Sequence, residues 1–396
     1  VSGVAENGGR GGVRLSLHEW LAAVAVIAAV LLALPQAWRR IDAPADAPNS
    51  RVPYRLSGDY WMFERLAARA AAEGAVAVIG DSVIWGHYVS AAETLPAHLG
   101  EAAESKAALA EAATTGAPRG AAAASNARPA GAGRAVRFAN LGVDGIHPAA
   151  MHGLVAYHGR AVAGGRVVLH CNPLWTSSRR HDLTAAKEFA FNHPRLVPQF
   201  IPWIPCYRET ADGRLAIVVG RYLPWGSWAE HLRVARFGGR DLAGWAVEHP
   251  YECPVRQLAL ELPSADDGPD PPPDARAWTE KGVPAMDADW VPLGESLQWA
   301  SLRATVDVLR GRGCRVFVLV GPFNEHMLAP ASREAYKDMK SAMAAWLRDA
   351  GVGCLAPAPL PSSLYADASH PLAEGYRLLA ERLGGSEEFQ TWLRNE

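Results

Sequence analysis

The sequence predicts an α/β fold built on a parallel sheet, and three observations carry that expectation. Five short apolar runs are spaced along the chain: AVAVIG (75–80), VRFANLG (136–142), RVVLHCN (166–172), CRVFVLVG (314–321) and VGCLAP (352–357). Runs this short and this continuous suit strands buried on both faces. Helical patterns fill most of the gaps between them, and strands alternating with helices argue for a sheet covered on both sides. Finally, a chain of 396 residues that is 49% hydrophobic and only 20% charged can bury a large core.

Taken in order, residues 1–14 form an N-terminal tail. From Trp20 to Leu34 follow fifteen residues without a polar side chain. Extended to 15–38 by Leu15, Leu17 and Trp38, the stretch approaches the ~20 residues that span a bilayer and reads as an uncleaved transmembrane anchor. A cleaved signal peptide and a buried soluble helix are the alternatives. Small residues suited to cleavage, Ala43 and Ala45, lie beyond Arg39 and Arg40, which disfavours cleavage. Arg10 and Arg14 before the run balance Arg39 and Arg40 after it, so charge does not orient the span.

Residues 39–59 then read as a Pro/Ala-rich linker, and 60–396 as one domain. Tyr60 to Ala72 has helical periodicity and stops at Gly74. Further helices are expected before Gly311, before Gly351 and before Gly384. Residues 100–134, Ala-rich and dotted with Gly, Pro and Ser, read as a disordered insertion. Residues 173–300, with eight of the fourteen tryptophans and a GPDPPPD loop, read as a subdomain over one end of the sheet.

Composition narrows the function. With 39 basic and 41 acidic residues the net charge is −2, which argues against a nucleic-acid partner held by counterion release. Five cysteines, Cys171, Cys206, Cys253, Cys314 and Cys354, are too few and too scattered for a disulfide scaffold. His147, His152 and His158 are spaced by five and six, which does not stack ligands on one helix face, and no HExxH occurs. Neither metal nor other cofactor is expected.

The residues that suit chemistry stand at strand ends. The first apolar run ends in Gly80-Asp81-Ser82, putting a serine at the carboxyl edge of the sheet, where open α/β folds bind ligands. If a helical turn starts there, the Ser82 N–H is free to face a developing oxyanion. Near the other end, Asp367-Ala368-Ser369-His370-Pro371 follows the last strand. Its spacing lets the carboxylate reach Nδ1 and leaves Nε2 aimed at a serine. Pro371 suits the first helical position, so the helix dipole would help keep His370 neutral. Between them lie Asn140-Leu141-Gly142-Val143-Asp144-Gly145 and, at the end of the third strand, Asn172. Both supply N–H donors. Each motif alone also reads as an ordinary turn.

Together, in this order and at these positions, the blocks resemble those of the SGNH/GDSL hydrolase family over the framework from Ala75 to about Arg382. The third block departs from the family's Gly-x-Asn-Asp, reading His170-Cys171-Asn172-Pro173, which leaves the orientation of Asn172 open. The resemblance implies a three-layer α/β/α domain with flavodoxin-like strand order 2-1-3-4-5. It further implies Ser82 as nucleophile, His370 as base, Asp367 as its partner, and Ser82, Gly145 and Asn172 as the oxyanion hole. Asn324 and His326, after the fourth strand, are candidates to line the pocket, and Trp175 to stack on substrate. His87 reads as a surface or supporting residue. The expected activity is hydrolysis of an ester, with O-acetyl groups on a carbohydrate or envelope substrate foremost. O-acyl transfer, a lipid ester, or a non-catalytic binding or assembly role on the same fold are the alternatives. The anchor would hold the domain on the extracytoplasmic side of a membrane.

Overall fold

The computed structural model describes residues 16–41, 51–115, 135–187 and 192–394. The tail 1–14, linker residues 42–50 and insertion residues 116–134 lie outside the described residues. Five parallel strands, β1 (Val76–Gly80), β2 (Phe138–Gly142), β3 (Arg166–Cys171), β4 (Arg315–Val320) and β5 (Gly353–Leu355), form one sheet in the order β2-β1-β3-β4-β5. All five apolar runs are therefore strands, and the order is the one expected.

Residues on successive strand positions alternate between two cores, as a pleated backbone requires. Ala77, Ile79, Val167, Leu169, Val316, Val318 and Val320 face one side. There they meet α2 (Tyr60–Ala72), α5 (Pro148–Gly153), α9 (Leu297–Gly311) and α10 (Pro330–Asp349). Val76, Val78, Val168, Phe317 and Leu319 face the other, under α4 (Leu95–Thr115), α11 (Ala373–Gly385) and α12 (Glu387–Arg394). The result is a three-layer α/β/α sandwich. Every strand exits toward the same edge, so the segments after β1, β2, β3, β4 and β5 converge there.

Three expectations need correction. Residues 100–115 are not disordered: α4 runs to Thr115. Alanine has the highest helix propensity, and Leu95 and Leu99 bury the helix's first turns beside α11. Residues 51–59 are not a linker either, since Val52 and Leu56 are buried in the core and Asp59 caps α2 by accepting from Met62 N–H. The Trp-rich insert is not a separate subdomain. Leu183, Leu196, Val197, Ile204, Cys206, Tyr207 and Ala235 join the same core as α2, α5 and α9. It adds α6 (Ala211–Tyr222), α7 (Pro224–His231) and α8 (Leu242–Glu248).

Ahead of the domain stands α1 (Leu17–Ile41), whose segment Leu17–Arg40 is long and apolar enough to cross a membrane, with a mean hydropathy of 2.2. Its apolar face is bare, with Leu17, Trp20, Leu21 and Val26 all more than half exposed. Its last turn meets the domain: Trp38 packs edge-on against Trp228, and Arg39 pairs with Glu64 at 3.1 Å.

Candidate active site

Ser82 opens a single helical turn, α3 (Ser82–Trp85), directly after β1. Asp81 caps that turn by accepting from Val83 N–H at 3.0 Å, and Gly86 ends it at φ +88°, a conformation glycine adopts without strain. The turn lies tight on β2. A side chain at Gly142 would place its Cβ 2.3 Å from the Trp85 backbone nitrogen, so only glycine fits. Asn140 locks the contact, donating to Ile84 O and accepting from Gly142 N–H. From the other side buried Arg51 donates to Trp85 O and Gly86 O while its guanidinium lies 3.8 Å over the Trp85 ring. The turn that carries Ser82 is thereby fixed by strand, glycine contact and arginine clamp together.

Facing Ser82, the segment after β5 folds back on itself. Ala366 N–H donates to His370 O and Leu372 N–H to Leu364 O, so α11 starts only at Ala373. Pro371 is not the first helical residue, as the sequence suggested, because this backbone pairing holds it extended against Tyr365. His370 Nδ1 stands 2.9 and 2.8 Å from the two Asp367 oxygens, and its Nε2 2.7 Å from Ser82 Oγ. Residues 288 positions apart thus meet in one chain of hydrogen bonds.

The electrostatics follow from that contact. Burial favours the neutral imidazole of His370, but the facing Asp367 outweighs it and raises the His370 pKa above its ordinary 6.5. This reverses the lowering expected from a helix dipole, since no helix begins there. Partial burial pushes Asp367 up, yet His370 and the N–H groups of Ser369 and His370 hold the carboxyl well below its ordinary value.

Two backbone N–H groups, those of Ser82 and Gly145, are candidate oxyanion donors. Gly145, in the left-handed region at φ +69°, lies in the turn after β2, beside the β1 exit where Val143 N–H donates to Gly80 O. Neither the Ser82 nor the Gly145 N–H has a hydrogen-bond partner among the described residues. Asn172, at the end of β3, donates one amide proton to Asp81 Oδ2 at 2.7 Å and accepts from Leu174 N–H. Its second amide proton remains for another acceptor.

Asp81 is the hub that the sequence reading passed over. Nearly fully buried, it takes Val83 N–H, the Asn172 amide and Trp175 Nε1–H, and faces His170 Nδ1 at 3.1 Å. Burial pushes its carboxyl up, but His170, Asn172 and Trp175 outweigh that and hold it at about 2. Its position next to Ser82 was the available signal.

Two of the three pocket candidates are committed to the protein interior. Trp175 is buried behind Asp81 and packs against His147 and His181, so its ring is committed to the protein rather than to a ligand. Asn324 is fully buried and donates to Asp367 O, which makes it a brace for the His370 loop. His326 donates from Nε2 to Leu360 O on an exposed turn. Conversely, Tyr88 was missed: its hydroxyl donates to Asp367 Oδ2 at 3.1 Å. His87, read as a surface or supporting residue, has its ring centroid 5.6 Å from that of His370, which fits the supporting reading. Among the described residues no group of three or more His, Cys, Asp or Glu could hold a metal ion.

No protein-family model matches the chain, and no curated protein matches it by sequence.

Proposed function

We propose that the chain is a serine esterase of the SGNH/GDSL type, working through an acyl-enzyme on Ser82. The observation that carries this reading is the unbroken line from Ser82 Oγ to His370 Nε2, and from His370 Nδ1 to Asp367. A carboxylate at Nδ1 fixes the proton there and leaves Nε2 to accept the serine proton. The hydroxyl would attack an ester carbonyl. The N–H groups of Ser82 and Gly145 and the free amide proton of Asn172 would hold the resulting oxyanion. Water would release the acid, and a hydroxyl in its place would make the same site an O-acyltransferase. The apolar α1 supports membrane anchoring; a domain outside the cytoplasm and O-acetyl groups of a carbohydrate or envelope substrate complete the proposal.

The test is turnover of p-nitrophenyl acetate by the purified full chain. Activity abolished in Ser82→Ala supports the esterase. Equal rates for both proteins would reject the serine mechanism and favour a binding role on the same fold.

A further inference from the structure

Helix α6 is amphipathic in reverse. A surface helix in water buries its apolar stripe and turns its charges outward. In α6 the charges point inward: Arg214, 4% exposed, donates to Gln199 O and Tyr207 O, and Arg221 donates to Arg195 O and Val197 O. The outer side carries Leu215, Val219 and Tyr222, which are 57%, 48% and 69% exposed. Their spacing of four and three residues makes them neighbours in one stripe. Beside it the turn bearing Phe200, Ile201 and Trp203 is equally bare, with Ile201 89% exposed. The Arg214 guanidinium ties that turn to α6 by lying 4.9 Å from the Trp203 ring centroid. Phe200 and Ile201 also line one cavity together with Val218 and Tyr222, so turn and helix form a single surface.

A contiguous bare apolar surface marks an interaction site, and two observations name what covers this one. The first is continuity with α1. Arg221 and Tyr222 line a second cavity, of about 680 Å³, whose wall includes Arg39 from the last turn of α1. That turn ends the segment long and apolar enough to cross a membrane, and α7 touches both α1 and α6. The second is charge. Arg39, Arg65, Arg69, Arg160 and Arg221 line the cavity against one carboxylate, Glu64, among the described lining residues. Arg69 is answered from outside the cavity by Glu73 at 2.9 Å. An apolar stripe flanked by surplus guanidinium groups, at the end of a membrane-spanning segment, complements acyl chains and phosphates in that order of depth.

We propose that this face docks on phospholipid: Leu215, Val219, Tyr222 and the turn at Phe200–Trp203 enter the surface of the bilayer that α1 spans, while the arginine cavity receives lipid phosphates. The proposal rests on the membrane-anchored part of the reading above and not on its chemistry. The stripe would lie about 5–10 Å into the interface, the depth of helices that lie in the membrane plane. Anchor and docked face together would fix the tilt of the domain, which α1 alone leaves free.

The experiment uses the full chain with Cys253→Ser, because Cys253 is the exposed thiol and the other four cysteines are buried. Single cysteines are added by Leu215→Cys, by Val219→Cys, by Val26→Cys in the bare part of α1, and by Glu381→Cys on α11, which covers the other face of the sheet from α2. Each is labelled with a nitrobenzoxadiazole dye and reconstituted into vesicles of phosphatidylcholine and phosphatidylglycerol containing nitroxide lipids. The Leu215→Cys and Val219→Cys labels should lose fluorescence to the nitroxides, more to one high on the acyl chain than to one at its tip. The Glu381→Cys label should lose none. Arg39→Gln with Arg160→Gln should weaken the loss at Val219→Cys, and an unchanged loss would overturn the phosphate site. With Val26→Cys quenched, equal signals from Leu215→Cys, Val219→Cys and Glu381→Cys would overturn the docking face and leave the anchor standing. An unquenched Val26→Cys would overturn both. Labels on α6 shielded from water yet unquenched by lipid, and exposed again when the protein is diluted into excess lipid, would assign the face to a second copy of the chain and overturn the proposal.

Discussion

Asp367→Asn isolates the orientation of His370 from its mere presence. In the structure Asp367 Oδ1 accepts the backbone N–H groups of Ser369 and His370, both at 2.9 Å. An asparagine keeps those bonds by placing its carbonyl oxygen there. Its NH2 then falls at the Oδ2 position, 2.8 Å from His370 Nδ1. The NH2 competes with the carbonyl oxygen, 2.9 Å from the same nitrogen, and wherever it donates to Nδ1 the ring proton moves to Nε2, which stands 2.7 Å from Ser82 Oγ. His370 becomes a donor to the serine instead of its base. In serine triads this exchange costs about 10⁴ in kcat, or about 5.4 kcal/mol at 1.36 kcal/mol per decade. Stopped-flow hydrolysis of p-nitrophenyl acetate reads the change directly, and circular dichroism checks that the fold is kept. A kcat within tenfold of wild type would refute the assignment of Asp367 as the orienting group.

Other outcomes follow from the same geometry. The serine must meet a neutral imidazole, and the His370 pKa is raised, so kcat/KM on the nitrophenyl ester should climb with pH through a limb above 6.5. Asp367→Asn should move that limb down, and a pH-independent rate would count against His370 as base. Asn172→Ala should lower kcat by about 10²–10³ with little change in KM, since an oxyanion donor acts on the transition state. An unchanged kcat would remove Asn172 from that role and leave it a ligand of Asp81. Gly142→Ala should destabilise the fold by roughly 1–3 kcal/mol in urea, because the new Cβ meets the Trp85 backbone rather than a side chain that can turn away. A neutral effect would mean that α3 yields. If α1 anchors the protein, the full chain should stay with membranes after an alkaline carbonate wash. Release as a soluble protein starting beyond residue 41 would identify α1 as a cleaved signal.

The framework was legible because each strand is a continuous apolar run, and burial on both faces leaves that mark on every residue. Ser82 and His370 were legible as a candidate pair for a related reason: Gly80-Asp81-Ser82 and the Asp367–His370 block abut strand ends, so topology alone brings them to one edge. What escaped depended on pairing at a distance. Nothing near His87 announces Asp144, 57 positions away, and nothing near Tyr88 announces Asp367. Residues 100–115 were misread because low complexity resembles disorder, whereas alanine favours helix and needs only the anchoring turns around Leu95 and Leu99 to hold it. Trp175 was misassigned because an indole is both a sugar platform and a hydrogen-bond donor. The buried carboxylate of Asp81 decided between the two.

The most direct test asks whether Ser82 is chemically activated by His370. Wild-type and His370→Ala proteins are treated with a fluorophosphonate, and the adduct is located by peptide mass spectrometry. Ser82 should carry the single adduct in wild type and remain unlabelled in His370→Ala over the same time. Labelling elsewhere, or equal labelling of Ser82 in both proteins, would contradict a nucleophile made reactive by this histidine.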